Sequence, residues 1–400
     1  MINRYRLSIA AIALVTTSIQ AEVPSFEKVV LDPQIGNVCY AVTSADVNDD
    51  GQLDAVAISE NEVVWYQNPE WTRHSMIKNA VSPDHVCIAA HDIDGDGKVD
   101  FALGAGWPTS GSTIHWLRRG DTLDDRWEVF NISSEPWTHR MRWADVLGRG
   151  SKQLVVSPLN ASSGSGIRLL AFPIPNDPES DPWKPVVIDG SLNRAHNHLH
   201  LPSTEDEGAE QTLVASEEGI TWIRKSEANG FQVTRIASGA EGKSPAERGS
   251  GEVKTGRLSP STSLIATIEP MHGNQVVVYI GNNVTDEKQQ RIVLDETFSQ
   301  GHAVWCADLD GDGADEIIAA YRNPGTGPVK GPGIFIYRAD DDRGQDWTRT
   351  TLDPMMACED LWCDDFDGDG KIDILAGGRA THDVNLYLNQ SGTSSKTSKD

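Results

Sequence analysis

The sequence has few cysteines and few basic residues for its length. Five cysteines stand among 400 residues, no two of them form a CxxC pair, and their odd number leaves at least one without an intrachain partner. Lysine and arginine number 34 against 59 aspartates and glutamates, which gives a formal net charge of −25. A surface of this sign repels the phosphates of nucleic acids and of anionic lipids. The composition therefore argues against nucleic acid and anionic membranes as partners.

Long apolar runs are also scarce, and the one at the N-terminus is short. Two arginines precede the run from Leu7 to Val15, and Ala21 follows at a suitable cleavage point. This order of charge, apolar run and small residue is typical of a secretory signal peptide, and the run is too short for a membrane span. We therefore expect residues 1–21 to be removed, the mature chain to be periplasmic or extracellular, and no segment to insert into a membrane.

Short loops rich in aspartate and glycine recur four times, at residues 46–54, 92–100, 308–316 and 365–373. In the third loop, DLDGDGADE, oxygen-bearing side chains at positions 1, 3, 5 and 9 surround a glycine at position 6. This spacing lets one tight turn enclose a Ca²⁺ ion. An EF-hand loop places its last acid at position 12, between two helices, whereas strand-like apolar residues flank this loop. We therefore predict calcium loops that join pairs of β-strands.

The four loops are landmarks of a longer repeat of about 46–58 residues. Residues 145–153, 203–211 and 257–263 stand where three more loops are expected, but they lack the acidic pattern. Each unit continues with an apolar strand, an alternating aromatic-rich strand and a fourth strand. The last unit lacks its fourth strand, and Phe26–Leu31, which precedes the first unit, can supply it. We predict an all-β, seven-bladed β-propeller with four-stranded blades, closed by its N-terminal strand.

The repeat also sets the domain boundaries. The propeller occupies residues 22–389, and the polar residues 390–400 form a disordered tail. A linear β-solenoid is the alternative architecture, but its repeats are much shorter. The cysteines lie on the strands before the loops, where we expect small buried thiols; a Cys39–Cys358 bridge is the alternative, because both occupy one repeat position. We expect a monomer.

These repeats resemble the FG-GAP/VCBS family, calcium-loop propellers related to the integrin α head, over about residues 26–389. In that family the loop joins the innermost strand of a blade to the second strand, and the resemblance implies up to four structural calcium ions here. The calcium ligands that it implies are Asp46, Asn48, Asp50, Asp54, Asp92, Asp94, Asp96, Asp100, Asp308, Asp310, Asp312, Glu316, Asp365, Asp367, Asp369 and Asp373. Blades 3 to 5 lack the pattern, so we expect no ion there.

The loops also locate the opposite end of each innermost strand. Six residues of strand span roughly 20 Å, so side chains five to seven positions before each loop line the mouth of the central channel on the face opposite the calcium loops. These side chains are Tyr40, His85, His139, His196, His198, Glu252, His302, Glu359 and Asp360. At least four of the seven blades place a histidine here. We predict a funnel lined by histidines and acids.

Loops between the second and third strands reach the same face and add further groups. They contribute Trp107, Glu269, His272, Arg322, Arg379 and His382. Imidazole with carboxylate suits a transition metal such as Zn²⁺ or Mn²⁺, and the same groups serve as general acid and base on a sugar. The five histidines of the first set are therefore the candidate catalytic residues, and the other side chains are candidate ligand-binding residues.

Three functions remain open at this stage. The overall pattern is similar to the propeller part of the aldos-2-ulose dehydratase family and, more distantly, to propeller-fold polysaccharide lyases, which implies carbohydrate chemistry in the axial funnel. The favoured function is binding of an extracellular ligand, with carbohydrate as the expected class. A lyase or dehydratase is the enzymatic alternative, with Arg322 or Arg379 holding an acidic sugar. The third is a non-catalytic scaffold for protein interactions. A structural role for the histidines, which would plug the channel by hydrogen bonds, is the alternative to all three.

Overall fold

The computed structural model describes residues 24–108, 111–123, 125–203, 208–226, 230–328 and 330–391. These residues form 28 β-strands in seven antiparallel sheets of four strands, which are the blades of a propeller. The prediction of an all-β, seven-bladed propeller is confirmed. Within the described ranges, no helix is long and apolar enough to cross a membrane. The predicted signal peptide and all but two residues of the predicted tail lie outside the described residues.

In blades 1 to 6 the strands run in chain order from the central channel outwards, and in blade 7 the N-terminal strand takes the outermost place. The N-terminal strand is β1 (Phe26–Asp32). Blade 1 consists of β2 (Cys39–Ala45), β3 (Asp54–Ser59), β4 (Glu62–Gln67) and β5 (Thr72–Lys78). Blade 2 consists of β6 (Cys87–His91), β7 (Asp100–Ala105), β8 (Thr113–Arg118) and β9 (Glu128–Ser134). Blade 3 consists of β10 (Thr138–Ala144), β11 (Gln153–Pro158), β12 (Leu169–Pro173) and β13 (Val186–Asp189).

The remaining four blades repeat this order. Blade 4 consists of β14 (Ala195–Leu201), β15 (Gln211–Ser216), β16 (Gly219–Ser226) and β17 (Gly230–Ala237). Blade 5 consists of β18 (Lys254–Ser259), β19 (Thr262–Glu269), β20 (Gln275–Gly281) and β21 (Gln290–Asp295). Blade 6 consists of β22 (Ser299–Ala307), β23 (Glu316–Asn323), β24 (Gly333–Ala339) and β25 (Trp347–Asp353). Blade 7 consists of β26 (Cys358–Asp364), β27 (Asp373–Gly378), β28 (Val384–Asn389) and β1.

Apolar side chains pack between blades, so the protein has several cores rather than one. Both faces of each sheet meet a neighbouring blade, and seven clusters of buried residues fill the spaces between the blades. Trp65 and Trp116 are almost fully buried in two of these clusters. Burial of one such side chain stabilises the fold by about 5 kcal/mol as an upper estimate. This packing fixes the seven inner strands around the axis.

The N-terminal strand closes the ring, as predicted. β1 pairs antiparallel with β28, from Phe26 opposite Asn389 to Val30 opposite Asn385. The first and last strands of the domain therefore lie in one sheet, and the ring opens only if this pairing is lost.

The five cysteines are free, and four of them are buried. Burial raises the pKa of the Cys39 and Cys358 thiols well above the usual value, which keeps both protonated and unreactive. The prediction of small buried thiols is confirmed, and the Cys39–Cys358 bridge is not formed.

The closing strand is held by a buried carboxylate, which gives a testable prediction. Asp353 accepts hydrogen bonds from Lys28 Nζ and Tyr387 Oη, each at 2.8 Å. Burial raises the pKa of Asp353, but these hydrogen bonds and that from the Met355 amide outweigh it and hold the pKa below its usual value. The resulting stabilisation is therefore complete above the unfolded-state pKa of about 4 and is lost as the pH falls through the folded-state pKa.

We expect Asp353→Asn to lower the free energy of unfolding by about 1–3 kcal/mol at pH 7, with a smaller difference as the pH falls below about 4. Urea denaturation at pH 7 and at a pH below about 4 measures this difference in the free energy of unfolding. Asp342→Asn, in the exposed turn between β24 and β25, is the control and should change stability by less than about 0.5 kcal/mol. An equal loss for Asp353→Asn at both pH values would contradict the electrostatic explanation.

Candidate functional site

The predicted calcium loops hold their acidic side chains close to one another. In three loops, carboxylate oxygens lie within 4.8 Å of one another. These groups are Asp92, Asp94 and Asp96; Asp308, Asp310 and Glu316; and Asp365, Asp367 and Asp373. Asp310 Oδ2 and Asp365 Oδ1 are buried without a hydrogen-bond partner among the described residues. A Ca²⁺ ion would satisfy such oxygens, so the loops fit calcium, whose binding stays a prediction.

The sixth residue of each loop is a glycine whose backbone has a positive φ. The four residues are Gly51, Gly97, Gly313 and Gly370, with φ from 86° to 92°. Their amides donate to the aspartate at position 1 at 2.9 to 3.0 Å. A side chain at this φ would be strained, so glycine is what allows the chain to turn around the acidic groups.

The acid at position 9 also has a structural role. Asp54 accepts hydrogen bonds from the amides of Val47 and Asn68, each at 2.9 Å. Asp100, Glu316 and Asp373 accept from the equivalent loop amides. The carboxylate at position 9 therefore joins the loop to the start of the second strand, with or without an ion.

Blade 3 shows how the same loop closes without the acidic set. Asp145 accepts from the amides of Arg149 and Gly150 at 2.9 and 2.7 Å. Gln153 replaces the acid at position 9; its carbonyl accepts from the Leu147 amide at 2.9 Å, and its amide donates to Asp145 Oδ1 at 3.1 Å. The side-chain amide thus supplies the positive partner that a cation would supply in the other loops.

On the opposite face, five inner strands contain a β-bulge at one position. The strand register shifts around a single extra residue in β2, β10, β14, β22 and β26. These extra residues are Tyr40, His139, His196, His302 and Glu359. A bulge turns one side chain out of the alternation of the strand. All five residues belong to the predicted funnel set, so the structure gives a local reason for their common placement.

The backbone next to three bulged histidines is in the left-handed region. Trp137, Arg194 and Gln300, each two residues before such a histidine, have φ of 63°, 36° and 57°. His272 in the β19–β20 loop has φ of 54°. Non-glycine residues in this region cost of order 1–3 kcal/mol each, and such residues concentrate at functional sites.

Four imidazoles meet at the funnel, and we call them the histidine cluster: His139, His196, His272 and His302. The His196 ring centroid lies 4.7 Å from that of His139, 4.6 Å from that of His272 and 4.9 Å from that of His302. The rings of His272 and His302 are 4.9 Å apart. His272 is half-buried and the others are buried. Three blades and one loop therefore bring together side chains that are far apart in sequence.

Hydrogen bonds to the backbone orient two of these rings. His196 Nδ1 lies 2.9 Å from the Gly251 carbonyl oxygen, and His302 Nδ1 contacts the Glu359 carbonyl oxygen. A carbonyl only accepts, so Nδ1 carries the proton in both rings and Nε2 presents a lone pair. The Nε2 atoms of His196 and His272 are 2.8 Å apart. Three ring nitrogens, from His196, His272 and His302, lie within 4.8 Å of one another.

The four imidazoles are neutral at physiological pH. Burial, followed by the Arg140 charge, holds the pKa of His139 and of His196 well below the usual value. Burial and then the Arg322 charge do the same for His302. Burial also lowers the pKa of His272, with His196 the next cause. Neutral imidazole is the form that binds metals and accepts protons.

A carboxylate and two arginines lie beside the histidine cluster. Glu359 Oε1 accepts from Arg379 at 2.8 Å, and Oε2 accepts from Arg322 at 3.1 Å. The same carboxylate lies 3.7 Å from His302 Nε2. The Arg379 guanidinium stands 5.8 Å from the centre of the Tyr40 ring. The predicted residues of blades 6, 7 and 1 thus form a continuous polar wall.

Two tryptophans form the opposite wall. The Trp107 ring centroid lies 4.8 Å from that of His139 and 5.9 Å from that of Trp137. Both tryptophans are half-buried. Partly accessible indole rings next to polar groups are suited to contact the apolar face of a sugar.

Two predicted residues face away from the funnel. Glu269 accepts hydrogen bonds from Tyr279 at 2.8 Å and Arg291 at 2.7 Å within blade 5. The sequence placed Glu269 in the funnel, whereas its carboxylate lies inside the blade, where Arg291 supplies the countercharge. His198 lies against blade 3, with Nδ1 3.0 Å from Ser157 Oγ. The bulge at His196 resets the alternation of β14, so the two histidines do not share one side.

Two further predicted histidines lie outside the histidine cluster. His85 precedes β6 and is fully buried, and burial lowers its pKa to about 4. His382 is half-buried, and its Nδ1 contacts the Asn37 carbonyl oxygen at the junction of blades 7 and 1. No contact joins either residue to the four clustered imidazoles in the described residues.

The remaining predicted residues, Glu252 and Asp360, lie deeper in the channel with Arg140, Arg142 and Lys254. The three basic residues were not predicted. Arg140 directly follows a predicted histidine, and Arg142 stands two residues further on, so period-two spacing along β10 was the available signal.

Comparison with known proteins finds matches to two parts of this chain. Residues 111–282 match the family described as aldos-2-ulose dehydratase, beta-propeller domain, and residues 46–103 match an FG-GAP-like repeat. Aldos-2-ulose dehydratase of Phanerodontia chrysosporium is 25% identical over 272 residues, which cover 62% of this chain and 30% of that protein. The chain therefore spans about a third of the length of this curated relative.

Solved structures show the same fold at low identity. BBS1N in complex with ARL6DN gives a TM-score of 0.55 at 13% identity, covering 92% of this chain and 96% of that one. The extracellular domain of a one-component system, BT4673, from B. thetaiotaomicron gives a TM-score of 0.50 at 12% identity. The match covers 90% of this chain and 39% of that chain. These likenesses concern the fold alone. The chain is a seven-bladed β-propeller with an FG-GAP-like repeat that is similar to the β-propeller domain of aldos-2-ulose dehydratase.

Proposed function

We propose that this chain is a sugar dehydratase or lyase whose site is the histidine cluster, with a divalent transition metal held by His196, His272 and His302. The observation that carries the proposal is the convergence of three ring nitrogens within 4.8 Å, two of them on rings whose other nitrogen donates to a backbone carbonyl. Metal-binding histidines use their second nitrogen in this way.

The three nitrogens fit a metal such as Zn²⁺. Zinc–nitrogen bonds of about 2.0–2.1 Å in tetrahedral geometry place two ligands roughly 3.3 Å apart. His196 Nε2 and His272 Nε2 lie 2.8 Å apart, so a shift of roughly half an ångström accommodates the ion. Three protein ligands leave a fourth position for substrate, as catalytic zinc sites do.

When bound, the metal would polarise an oxygen of the sugar. His139 is the candidate base, because its ring lies 4.7 Å from that of His196 and neither of its nitrogens has a hydrogen-bond partner among the described residues. In a dehydration, His139 takes the proton from a carbon next to a carbonyl group and then gives it to the hydroxyl on the adjacent carbon, which leaves as water. The electrons of the broken C–H bond form the new C=C bond. The Trp107 and Trp137 faces would hold the ring.

The similarity to aldos-2-ulose dehydratase points to aldos-2-uloses as the first substrates to test. A propeller that is exported and binds calcium through its loops, as predicted from the sequence, would meet such carbohydrates outside the cell. Arg322 and Arg379 offer donors at the funnel wall, so oxidised or acidic sugars are the favoured class.

Metal binding tests the proposal directly. We expect the purified protein to retain about one equivalent of zinc or manganese after dialysis in excess calcium, and His302→Ala to reduce metal affinity at least about 100-fold. Elemental analysis and competition with a chromogenic chelator measure this. His74→Ala is the matched control, because His74 lies on β5, away from the funnel, and stacks on Trp65.

Two results together would contradict the enzymatic proposal. The wild-type protein would bind no transition metal, and it would leave aldos-2-uloses unchanged in an ultraviolet assay for the unsaturated product. A binding function without chemistry is the second candidate. The hydrogen-bond distance between His196 and His272 favours it, because the rings can satisfy each other without an ion. Sugar binding without metal or turnover, measured by calorimetry, would support that candidate.

A further inference from the structure

A second polar site lies in the channel beyond the histidine cluster. Residues of all seven inner strands or their adjoining segments surround a cavity of about 30 Å³. Arg140, Asn197 and Asp360 line it, each one position further along its strand than a bulged residue. The volume is about that of one water molecule in the liquid, so the cavity excludes a sugar.

Five charged side chains line this cavity: Arg140, Arg142, Lys254, Glu252 and Asp360. The three basic groups exceed the two acidic groups by one formal charge. A buried charge without a partner is strongly unfavourable, so the distribution of partners decides what else the cavity must hold.

Both carboxylates and one arginine already have partners. Glu252 Oε2 accepts from Asn197 Nδ2 at 2.5 Å, whereas Glu252 Oε1, 2.9 Å from His196 Nδ1, has no hydrogen-bond partner among the described residues. Asp360 accepts from the Val42 amide at 3.1 Å. Arg142 donates to the carbonyl oxygen of His198 at 2.7 Å and to Asn197 Oδ1 at 3.0 Å. These contacts do not provide a partner for the two remaining cations, Arg140 and Lys254.

Arg140 and Lys254 are buried cations, and neither forms an ion pair with any carboxylate that the structure describes. Arg140 is 6% exposed, and its Nε and Nη2 atoms are buried without a hydrogen-bond partner in the described ranges. Lys254, also 6% exposed, places Nζ 3.5 Å from the centre of the Trp305 ring. Burial and then the Arg142 charge lower the pKa of Lys254 to about 7, because together they outweigh the opposing effect of the Glu252 and Asp360 carboxylates.

We propose that this cavity binds one monovalent anion of halide size, held by the Arg140 guanidinium and the Lys254 ammonium group. The anion supplies the negative charge that the five side chains lack. It accepts hydrogen bonds from the Arg140 N–H groups for which the described residues provide no acceptor. It also screens the histidine cluster from Arg140. The proposal does not depend on the proposed enzymatic function.

Halide-dependent unfolding tests this site. In calcium-saturated buffers of equal ionic strength, replacing gluconate with bromide should raise the Tm of the wild type saturably, by about 3 °C at one hundred times Kd. Arg140→Met should abolish the increase. Arg224→Gln is the control, because Arg224 is an exposed residue of β16 that donates to Gln232, and it should keep the full increase.

Anomalous diffraction from wild-type crystals in bromide provides a measurement that needs no variant. We expect one bromide peak in the channel within hydrogen-bonding distance of Arg140. A linear, non-saturating effect of halide that Arg140→Met shares, or a channel that holds only water in bromide, would overturn the proposal. If Arg140→Met does not fold, the wild-type crystal decides alone.

Discussion

Removal of calcium is expected to lower the Tm of this propeller by about 10–15 °C. A ligand at one hundred times its Kd stabilises the folded state by about 2.7 kcal/mol per site, and four loops together reach about 11 kcal/mol. For a domain of this length, the unfolding entropy converts that free energy into the stated shift. The physical cause is visible in the loops, where Asp310 Oδ2 and Asp365 Oδ1 are buried without partners in the described residues. Calorimetry with calcium or with excess chelator measures the effect.

Blade 3 supplies the control for this experiment. Asp365→Ala should remove about a quarter of the shift caused by the chelator, because it removes one of four predicted sites. Asp145→Ala should lower the Tm equally with calcium or chelator, because the neutral side-chain amide of Gln153 donates to Asp145 where the other loops are predicted to hold an ion. A Tm that does not respond to chelator would show that the loops close without ions.

His139→Ala is expected to reduce turnover of an aldos-2-ulose by about 10²- to 10⁴-fold, the range for loss of a general base. The metal content should not change, because His139 lies outside the triad of His196, His272 and His302. The rate is followed by ultraviolet absorbance of the unsaturated product, with metal measured in the same samples.

The control for that variant is His115→Ala on β8, where His115 contacts Thr113 Oγ1 away from the funnel. It should keep the wild-type rate. If His139→Ala retains the wild-type rate with full metal content, His139 is not the base. If it loses metal and activity together, the residue is a ligand instead.

The ring of seven blades and its closure by the N-terminal strand follow from counting the repeat units in the sequence. Because each loop is a marker at a fixed point of the repeat, the residue number along an inner strand converts into distance along the axis. For this reason the sequence alone predicts that residues as distant as His139 and His302 lie at the same end of the channel. The unpaired strand at Phe26 followed from the same count, since the last blade lacked one strand.

Local register was not accessible in the same way. A bulge is one residue in a ladder of hydrogen bonds, and nothing in the composition of β14 distinguishes His196 from His198. Glu269 was misplaced for a related reason: its partner Arg291 lies 22 residues later on another strand, and only the packed blade shows the pair. The basic residues of the channel were missed because a buried cation is rare.

The bulges also bear on how this protein could change over evolution. A bulged residue lies outside the pairing of its strand, so its side chain can be replaced without disturbing the ladder of backbone hydrogen bonds. Blades 1, 3, 4, 6 and 7 already carry tyrosine, histidine and glutamate at this position. Single substitutions at these positions would alter the chemistry of the funnel while keeping the pairing of the inner strands. Descendants of one propeller could therefore bind different ligands on the same fold.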